Sequence, residues 1–141
     1  MNKILRPFHL AIPVANLEKA KKFYTDLLGC VIGRSSETWI DLNFYGHQLV
    51  IHLSNIENNT TYNNVDLHSV PVPHFGIILT WNAWNKISRT LKNKIDFIIK
   101  PQIRFKNKIG EQATMFFKDN DNNFIELKAF KDDKMIFKKN D

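Results

Sequence analysis

Apolar residues alternate with small or polar residues in one short segment of each half of the chain. The segment from His9 to Val14 alternates in this way and predicts a strand, and the segment from His74 to Thr80 repeats the pattern about half a chain later. Between Leu17 and Leu28, apolar residues recur at three- and four-residue spacing. With a candidate N-cap at Asn16 and a stop at Gly29, this spacing predicts a helix.

The other apolar runs complete the same order of elements in both halves. In the first half they predict strands at Val31–Arg34, Trp39–Tyr45 and Gln48–Leu53. In the second half they predict a helix near Asn82–Lys92 and strands at Phe97–Lys100, Gln112–Lys118 and Asn123–Ala129, with an irregular segment from Pro101 to Glu111. Each half therefore forms a βαβββ module. We predict an α+β fold in which two modules form a curved, mixed and mostly antiparallel sheet around a cavity.

The length of 141 residues fits one domain. We expect module one at about 6–54, an exposed polar connection at about 55–71, module two at about 72–130 and a tail at 131–141. The connection is rich in Asn and Thr, which is typical of a long loop. We also expect unpaired edge strands to favour a homodimer.

Composition narrows the choice of partners. The net charge is +6, but the lysines are scattered and form no stripe with aromatic residues, so we expect no nucleic-acid partner. A basic surface can still steer small anions towards a cleft. The sequence has no run of about 18 apolar residues, so we expect no membrane partner. The single cysteine, Cys30, cannot form an internal disulfide, and we expect a cytoplasmic protein.

Three side chains with metal-binding chemistry fall on strands of this pattern. Strand alternation places His9 on one face with Ala11, and His74 on one face with Gly76, so that a small neighbour leaves room beside each histidine. Glu126 lies opposite the apolar face of the last strand. Any one of these residues alone is ordinarily a satisfied polar residue. Together, two imidazoles and one carboxylate are a ligand set that leaves open positions on a divalent ion.

Longer motifs resemble a known family. The relevant segments are His9 with Ala11-Ile12-Pro13-Val14, the helix from Leu17 to Gly29, and the closing run from Asp119 to Glu126. They resemble the vicinal oxygen chelate superfamily of glyoxalases, bleomycin- and fosfomycin-resistance proteins and extradiol dioxygenases. The runs 46–50 and 70–76 are similar to a subgroup of predicted extradiol-type dioxygenases. The resemblance implies metal ligands at His9, His74 and Glu126, with Fe(II) expected first and Zn, Ni or Mn as alternatives.

The resemblance also suggests residues that act on a substrate. In extradiol dioxygenases, a histidine between the two ligand histidines is an acid–base group, and His52 is our candidate for this role. A fourth metal ligand and a plain structural histidine are its alternatives, because glyoxalase-like members carry a Glu ligand on the matching strand. Extradiol enzymes place a tyrosine in the region that holds Thr114, Met115 and Phe116 here, and Phe116, which is a candidate substrate contact, cannot donate a hydrogen bond. Gln112 and Thr114 could contact the substrate instead, and Trp39 could line the cavity.

These expectations describe a metal-dependent enzyme. We expect an extradiol-type dioxygenase that acts on a small, oxygen-rich substrate such as a catechol or an enediol. A metal-dependent lyase, isomerase or thiol transferase of glyoxalase type is one alternative. The other is a metal-free protein that sequesters a drug, as bleomycin-resistance proteins do. One scaffold of this kind serves many reactions, so the sequence leaves these possibilities open.

Overall fold

The computed structural model describes residues 4–57 and 59–140. Residues 1–3, 58 and 141 belong to the predicted domain and its connection but lie outside the described residues. The chain divides into two units: unit 1 is residues 1–58 with 119–123, and unit 2 is residues 59–118 with 124–141. Each unit contains a mixed four-stranded sheet and a helix, so the predicted α+β class and the repeated βαβββ order are confirmed.

Unit 1 contains the first module. Its elements are β1 (His9–Val14), α1 (Leu17–Lys22), β2 (Val31–Ser35), β3 (Trp39–Phe44) and β4 (His47–Leu53). The strands lie in the order β1-β4-β3-β2, with β1 parallel to β4 and the other pairs antiparallel. On β1 the residues Ile12 and Val14 are buried while His9, Ala11 and Pro13 are exposed, as the alternation predicted.

The first helix differs from its prediction at its C-terminal end. Asn16 is the N-cap, and its Oδ1 accepts a hydrogen bond from the Lys19 backbone N–H at 3.0 Å. The regular α-helix ends at Lys22 and continues as a wider π-helical turn, Phe23–Leu27. The wider turn accommodates two successive buried aromatic side chains, those of Phe23 and Tyr24, which meet edge to face. Periodicity alone does not reveal a change of this kind.

A buried carboxylate ties the core of unit 1 to the turn 119–123. The Tyr24 hydroxyl donates to Asp119 Oδ2 at 2.8 Å, and Asp119 Oδ1 accepts from the backbone N–H groups of Asp121 and Asn123. The side-chain amide of Asn123 donates to the Pro13 carbonyl at 2.9 Å. Burial, and then the nearby Asp119 charge, raise the pKa of Tyr24 well above its ordinary value. The tyrosine is therefore a hydrogen-bond donor in the folded protein.

Unit 2 repeats the module and adds a hairpin before it. Its elements are β5 (Thr61–Val65), β6 (His68–Val72), β7 (Phe75–Leu79), α2 (Trp81–Leu91), β8 (Phe97–Arg104), β9 (Gln112–Lys118), β10 (Phe124–Phe130) and a 3-10 turn (Asp133–Met135). The sheet order is β7-β10-β9-β8, the order of the first sheet, with β7 parallel to β10. Strand β9 has the predicted bounds.

The second part of the predicted connection is a hairpin rather than an exposed loop. Strands β5 and β6 pair antiparallel, and Val70 of β6 joins a buried cluster with Ile99 and Phe116. Asp66 in the hairpin turn forms an ion pair with Arg104. The Asn- and Thr-rich composition predicted a loop because it carries little apolar content, but one buried valine and its tertiary contacts override that local preference.

Strand β8 is also longer than predicted. It continues through Pro101 to Arg104, although the proline was expected to open an irregular segment. Strand β8 lies at the edge of its sheet and its register to β9 shifts between Phe97 and Gln102. An edge strand with bulges tolerates a proline, because one side of the strand makes no ladder hydrogen bonds.

Helix α2 packs on the apolar face of the second sheet. Thr80 caps it by accepting from the Ala83 N–H, and the buried Trp84 donates its indole N–H to the Leu127 carbonyl at 2.9 Å. The alternate residues Ile125, Leu127 and Ala129 are fully buried on this side. Their neighbours Glu126 and Lys128 therefore face the opposite side of β10. In the part of the chain that the structure describes, no helix is long and apolar enough to span a membrane.

Candidate metal centre

A histidine and a carboxylate meet where β7 and β10 run parallel in unit 2. His74 lies directly before β7, and Glu126 lies in β10 opposite Gly76. His74 Nε2 is 3.5 Å from Glu126 Oε2. The two side chains are 29% and 14% exposed, so both are partly shielded from solvent and still reachable. The predicted ligands His74 and Glu126 are thus brought together by the parallel pairing of β7 with β10.

The other ring nitrogen of His74 is already engaged. His74 Nδ1 lies 2.7 Å from the Pro71 carbonyl oxygen. A carbonyl only accepts, so the Nδ1–H donates to Pro71, and Nε2 is the ring nitrogen that faces Glu126 and is left for an ion when the ring is neutral. Metal-binding histidines are commonly held by such a bond from the nitrogen that does not bind the metal. The Phe116 ring packs edge to face against the imidazole at 5.0 Å and further restricts it.

Gly76 has a different role from the predicted one. The sequence suggested that its small size leaves room for a metal. In the structure, a Cβ at Gly76 would overlap the backbone carbonyl of Glu126. The glycine therefore allows the backbones of β7 and β10 to approach closely. This approach brings Glu126 beside His74, so Gly76 supports the site indirectly.

His9 in unit 1 is prepared in a similar way. Its Nδ1 lies 2.7 Å from the side-chain oxygen of Gln48, its register partner on β4. An amide oxygen accepts, so the histidine donates from Nδ1 and its Nε2 is available to a ligand. His9 thus has the protonation pattern that a metal ligand needs. A side-chain amide oxygen accepts its Nδ1–H bond, whereas a backbone carbonyl accepts the corresponding bond from His74.

The donor set in unit 2 fits a divalent ion. Ligand atoms that bind one ion at about 2.0–2.2 Å lie roughly 3 to 4 Å from each other, which agrees with the 3.5 Å between His74 Nε2 and Glu126 Oε2. Within either unit, the described residues contain no group of three or more His, Cys, Asp or Glu side chains arranged around one point. The role of His9 as third ligand therefore stays a prediction.

The predicted substrate contacts lie on the same face of the second sheet. Strands β9 and β10 pair Phe116 with Glu126, and they pair Thr114 and Gln112 with Lys128 and Phe130. Paired residues of an antiparallel ladder project to the same side. Phe116 and Thr114 are buried, and Gln112 is half-buried. Their roles towards a substrate remain predictions.

His52 and Trp39 face each other across β3 and β4 in unit 1. His52 lies four positions beyond Gln48 along β4, which is about 13 Å at the usual rise of a strand. Gln48, rather than His52, is the β4 residue beside His9. This separation disfavours the alternative in which His52 shares an ion with His9. Its acid–base role and the structural alternative stay open as predictions.

Two charged residues near these sites were not singled out from the sequence. Asp41 on β3 is buried and lies 3.5 Å from the Arg34 guanidinium, which also sits over the Trp39 ring. Lys128 on β10 has its Nζ 3.7 Å from Glu126 Oε1. The positions of both side chains follow from strand alternation, since Asp41 shares a face with Trp39 and Lys128 shares a face with Glu126. That signal was present in the sequence.

Cavities in unit 2 differ in their chemistry. A shallow pocket of about 240 Å³ is lined by His74, Glu126 and Lys128 with the β7 residues 75–78. A larger one, about 840 Å³, lies at the C-terminal end of α2, and its lining includes four basic residues, one aspartate (Asp96) and several uncharged residues. Cations at a helix C-terminus complement the helix dipole and need no ligand to explain them. We therefore place the candidate centre in the smaller pocket.

Comparison with known proteins identifies the family. A sequence model of the glyoxalase/bleomycin resistance protein/dioxygenase superfamily matches residues 6–127. The chain belongs to this superfamily. The superfamily contains many enzymes, and divalent metals are common among its members.

Solved structures agree with this assignment. A glyoxalase/bleomycin resistance protein/dioxygenase from Alicyclobacillus acidocaldarius is 34% identical over 97% of this chain and 100% of its own, with a TM-score of 0.77. Two fosfomycin resistance proteins named FosX share the fold. The one from Listeria monocytogenes is 18% identical, covers 92% of this chain and 94% of its own, and has a TM-score of 0.63. The one from Mesorhizobium loti is 15% identical, covers 92% and 93%, and has a TM-score of 0.58. No curated protein sequence matches significantly.

Proposed function

We propose that this protein is a metal-dependent enzyme whose ion is held by His74 and Glu126, with His9 as the third ligand. The observation that carries the proposal is the pair of ring contacts of His74: Nδ1–H is bound to Pro71 while Nε2 faces Glu126 at 3.5 Å. A neutral imidazole and a carboxylate suit Fe(II) first, with Zn, Ni and Mn as alternatives. Gln48 would hold His9 in the matching tautomer.

The proposed reaction is an extradiol-type oxygenation of a small catechol- or enediol-like substrate. A bound divalent ion supplies Lewis-acid chemistry and, if it is iron, a route to oxygen. Phe116 holds the His74 ring from a buried position, while Thr114 and Gln112 offer polar groups on the same face. Trp39, the remaining predicted substrate contact, lies on β3 of unit 1. These residues bind and orient the substrate and exclude water from it.

His52 is the proposed proton carrier. An imidazole can both accept and donate a proton near neutral pH, which suits an acid–base role. Its side chain is exposed, and no hydrogen bond to it is found among residues 4–57 and 59–140, so its ring nitrogens are available to a substrate. A structural role would instead be expected to engage at least one of them.

A lyase, isomerase or thiol transferase is the second candidate. The favouring observation is Phe116, the register partner of Glu126, because it cannot supply the hydrogen bond that the tyrosine of extradiol enzymes provides. The similarity to fosfomycin resistance proteins shows the fold and is compatible with such chemistry. A drug-sequestering protein without metal is the remaining alternative.

Metal analysis tests the proposal first. Protein purified without chelator should contain near-stoichiometric divalent metal, and the His74→Ala, Glu126→Ala and His9→Ala variants should each lose most of it. His68→Ala is the matched control, because His68 contacts Gln102 on β8 and is not part of the proposed ligand set. Metal-free parent protein would favour sequestration, and metal retained in all three variants would contradict the ligand assignment.

Oxygen uptake then separates the two enzyme classes. With Fe(II) protein and a panel of catechols, the dioxygenase proposal predicts oxygen consumption that His52→Ala reduces and His47→Ala does not. Turnover of an enediol or epoxide substrate without oxygen consumption would favour the second candidate.

A further inference from the structure

Lys128 is a cation beside the candidate centre that the proposed chemistry does not use. It lies two residues beyond Glu126 on the same face of β10 and lines the same pocket. Its side chain is 32% exposed, and Nζ lies 3.7 Å from Glu126 Oε1 and 5.3 Å from the Phe130 ring centroid. The distance to Glu126 is longer than a hydrogen bond, so the ammonium keeps donors for another acceptor.

Thr114 provides a second polar group at this place. It is the register partner of Lys128 on β9, and it is 5% exposed. Its Oγ1 is buried and finds no hydrogen-bond partner among the described residues. A buried hydroxyl without a partner is costly, and directly opposed residues of a ladder have Cβ atoms about 5 Å apart. Thr114 does not line the pocket itself, so its hydroxyl would gain an acceptor from an oxygen atom bound beside Lys128 only after both side chains change rotamer.

We propose that Lys128 and Thr114 form an oxyanion subsite, so that the substrate carries a carboxylate, phosphate or phosphonate group in addition to the oxygens at the candidate centre. The inference rests on the proposed function, because it gives the substrate class of that same pocket. The lysine ammonium is a point charge on a flexible side chain, so it suits a planar carboxylate as well as a tetrahedral phosphate or phosphonate. The net charge of +6 would draw such a substrate towards the protein.

The test is to measure anion binding by the chelator-treated protein. Calorimetry gives the affinity, and NMR of the lysine side chains shows which lysine responds. Inorganic phosphate and acetate are the two probes, and their relative affinities distinguish a phosphate-like from a carboxylate-like ligand. Lys128→Met should weaken the preferred anion by about tenfold or more, since a charged hydrogen bond is lost. Lys128→Arg should retain binding, and Thr114→Val should weaken it a few-fold.

Lys86→Met is the control, because Lys86 lies on α2 and carries the same charge away from this face. It should bind as the parent does. Failure of the parent to bind either anion, or equal losses in Lys128→Met and Lys86→Met, would overturn the inference. The metal content of the same samples before chelation reports separately on the proposed function. Lys128-dependent anion binding in a protein that holds no metal would remove the metal proposal and leave the subsite.

Discussion

The two four-stranded sheets have the same strand order but place their carboxylates on different strands. In unit 2, Glu126 lies on β10, directly beside β7. The equivalent position in unit 1, opposite Ala11 on β4, is the buried Val50. The carboxylate on the sheet of unit 1 is that of Asp41, one strand further in on β3, where unit 2 has Phe116. One scaffold therefore carries acidic groups at two different distances from its first strand.

This difference bears on where a histidine–carboxylate pair forms. His9 begins β1 and His74 directly precedes β7, and Nδ1 of each ring is fixed, by Gln48 in unit 1 and by Pro71 in unit 2. Among the residues that the structure describes, His74 has an acidic partner at its other ring nitrogen, whereas His9 has none within unit 1. Repetition of a module thus preserves the orientation of the histidine, while substitution on the neighbouring strand decides where charge is available to bind an ion.

The largest expected effect concerns the close approach of β7 and β10. Gly76→Ala should lower the free energy of unfolding by about 3 kcal/mol or more, because the new Cβ would overlap the Glu126 carbonyl. Gly33→Ala is the control in the other sheet, where a Cβ would meet Asp41 only at ordinary contact distance. Chemical denaturation of both variants measures the difference. Equal stabilities would show that the close approach is not a feature unique to unit 2.

The anchoring of unit 1 by Asp119 gives a second large effect. Asp119→Ala should destabilise the protein by about 3 kcal/mol, because the Tyr24 hydroxyl and two backbone N–H groups lose their acceptor. Tyr24→Phe removes one of these bonds and should cost roughly 1–2 kcal/mol. Denaturant titration of the two variants tests the ranking. A larger loss from Tyr24→Phe would contradict the central role of the carboxylate.

Unit 1 should also lose stability at high pH. Burial raises the pKa of Cys30 to about 12 from 9.0, and that of Tyr24 is raised as well. The unfolded chain releases the Cys30 proton above about pH 9 and the Tyr24 proton above about pH 10, while the folded protein keeps both. The free energy of unfolding therefore has its full value below about pH 9, and it falls by about 1.4 kcal/mol per pH unit for each group that has begun to titrate in the unfolded chain.

Denaturant titrations at several pH values between about 8 and 11 would measure this fall in the free energy of unfolding. Cys30→Ala should delay its onset to the range in which tyrosine titrates. A parent protein whose stability is constant over the whole range would show that neither group is buried as described.

The smallest effect distinguishes the two ways of holding a histidine. Gln48→Leu should weaken divalent-metal affinity by about tenfold, because outer partners of metal ligands typically contribute this much. Asn43→Leu, at the neighbouring register position on β3, is the control. Isothermal titration with Mn(II) measures both. An unchanged Mn(II) affinity in Gln48→Leu would show that neither His9 nor the Gln48 amide that holds it takes part in the metal site.

Several strand and helix positions were predictable because burial alternates along β1 and along most of β10. The faces of β1 and β10, the cap at Asn16 and the bounds of β9 all follow from local pattern. The hairpin β5–β6, the π-helical turn and the extension of β8 through Pro101 were not predicted, because tertiary contacts of Val70, Tyr24 and the sheet edge override local preference.

The candidate site was predictable in its chemistry more than in its geometry. The residue types of His74 and Glu126 indicated a metal pair, and the structure brings them together. The sequence could not show that Gly76 serves backbone packing, or that Gln48 and not His52 lies beside His9. Both facts depend on the register between parallel strands that are distant along the chain.

Anomalous X-ray scattering from crystals grown with Mn(II) or Fe(II) tests the metal assignment most directly. We expect a peak within about 2.0–2.3 Å of both His74 Nε2 and a carboxylate oxygen of Glu126. A peak that lies away from these two atoms, in protein that binds the ion stoichiometrically, would contradict it.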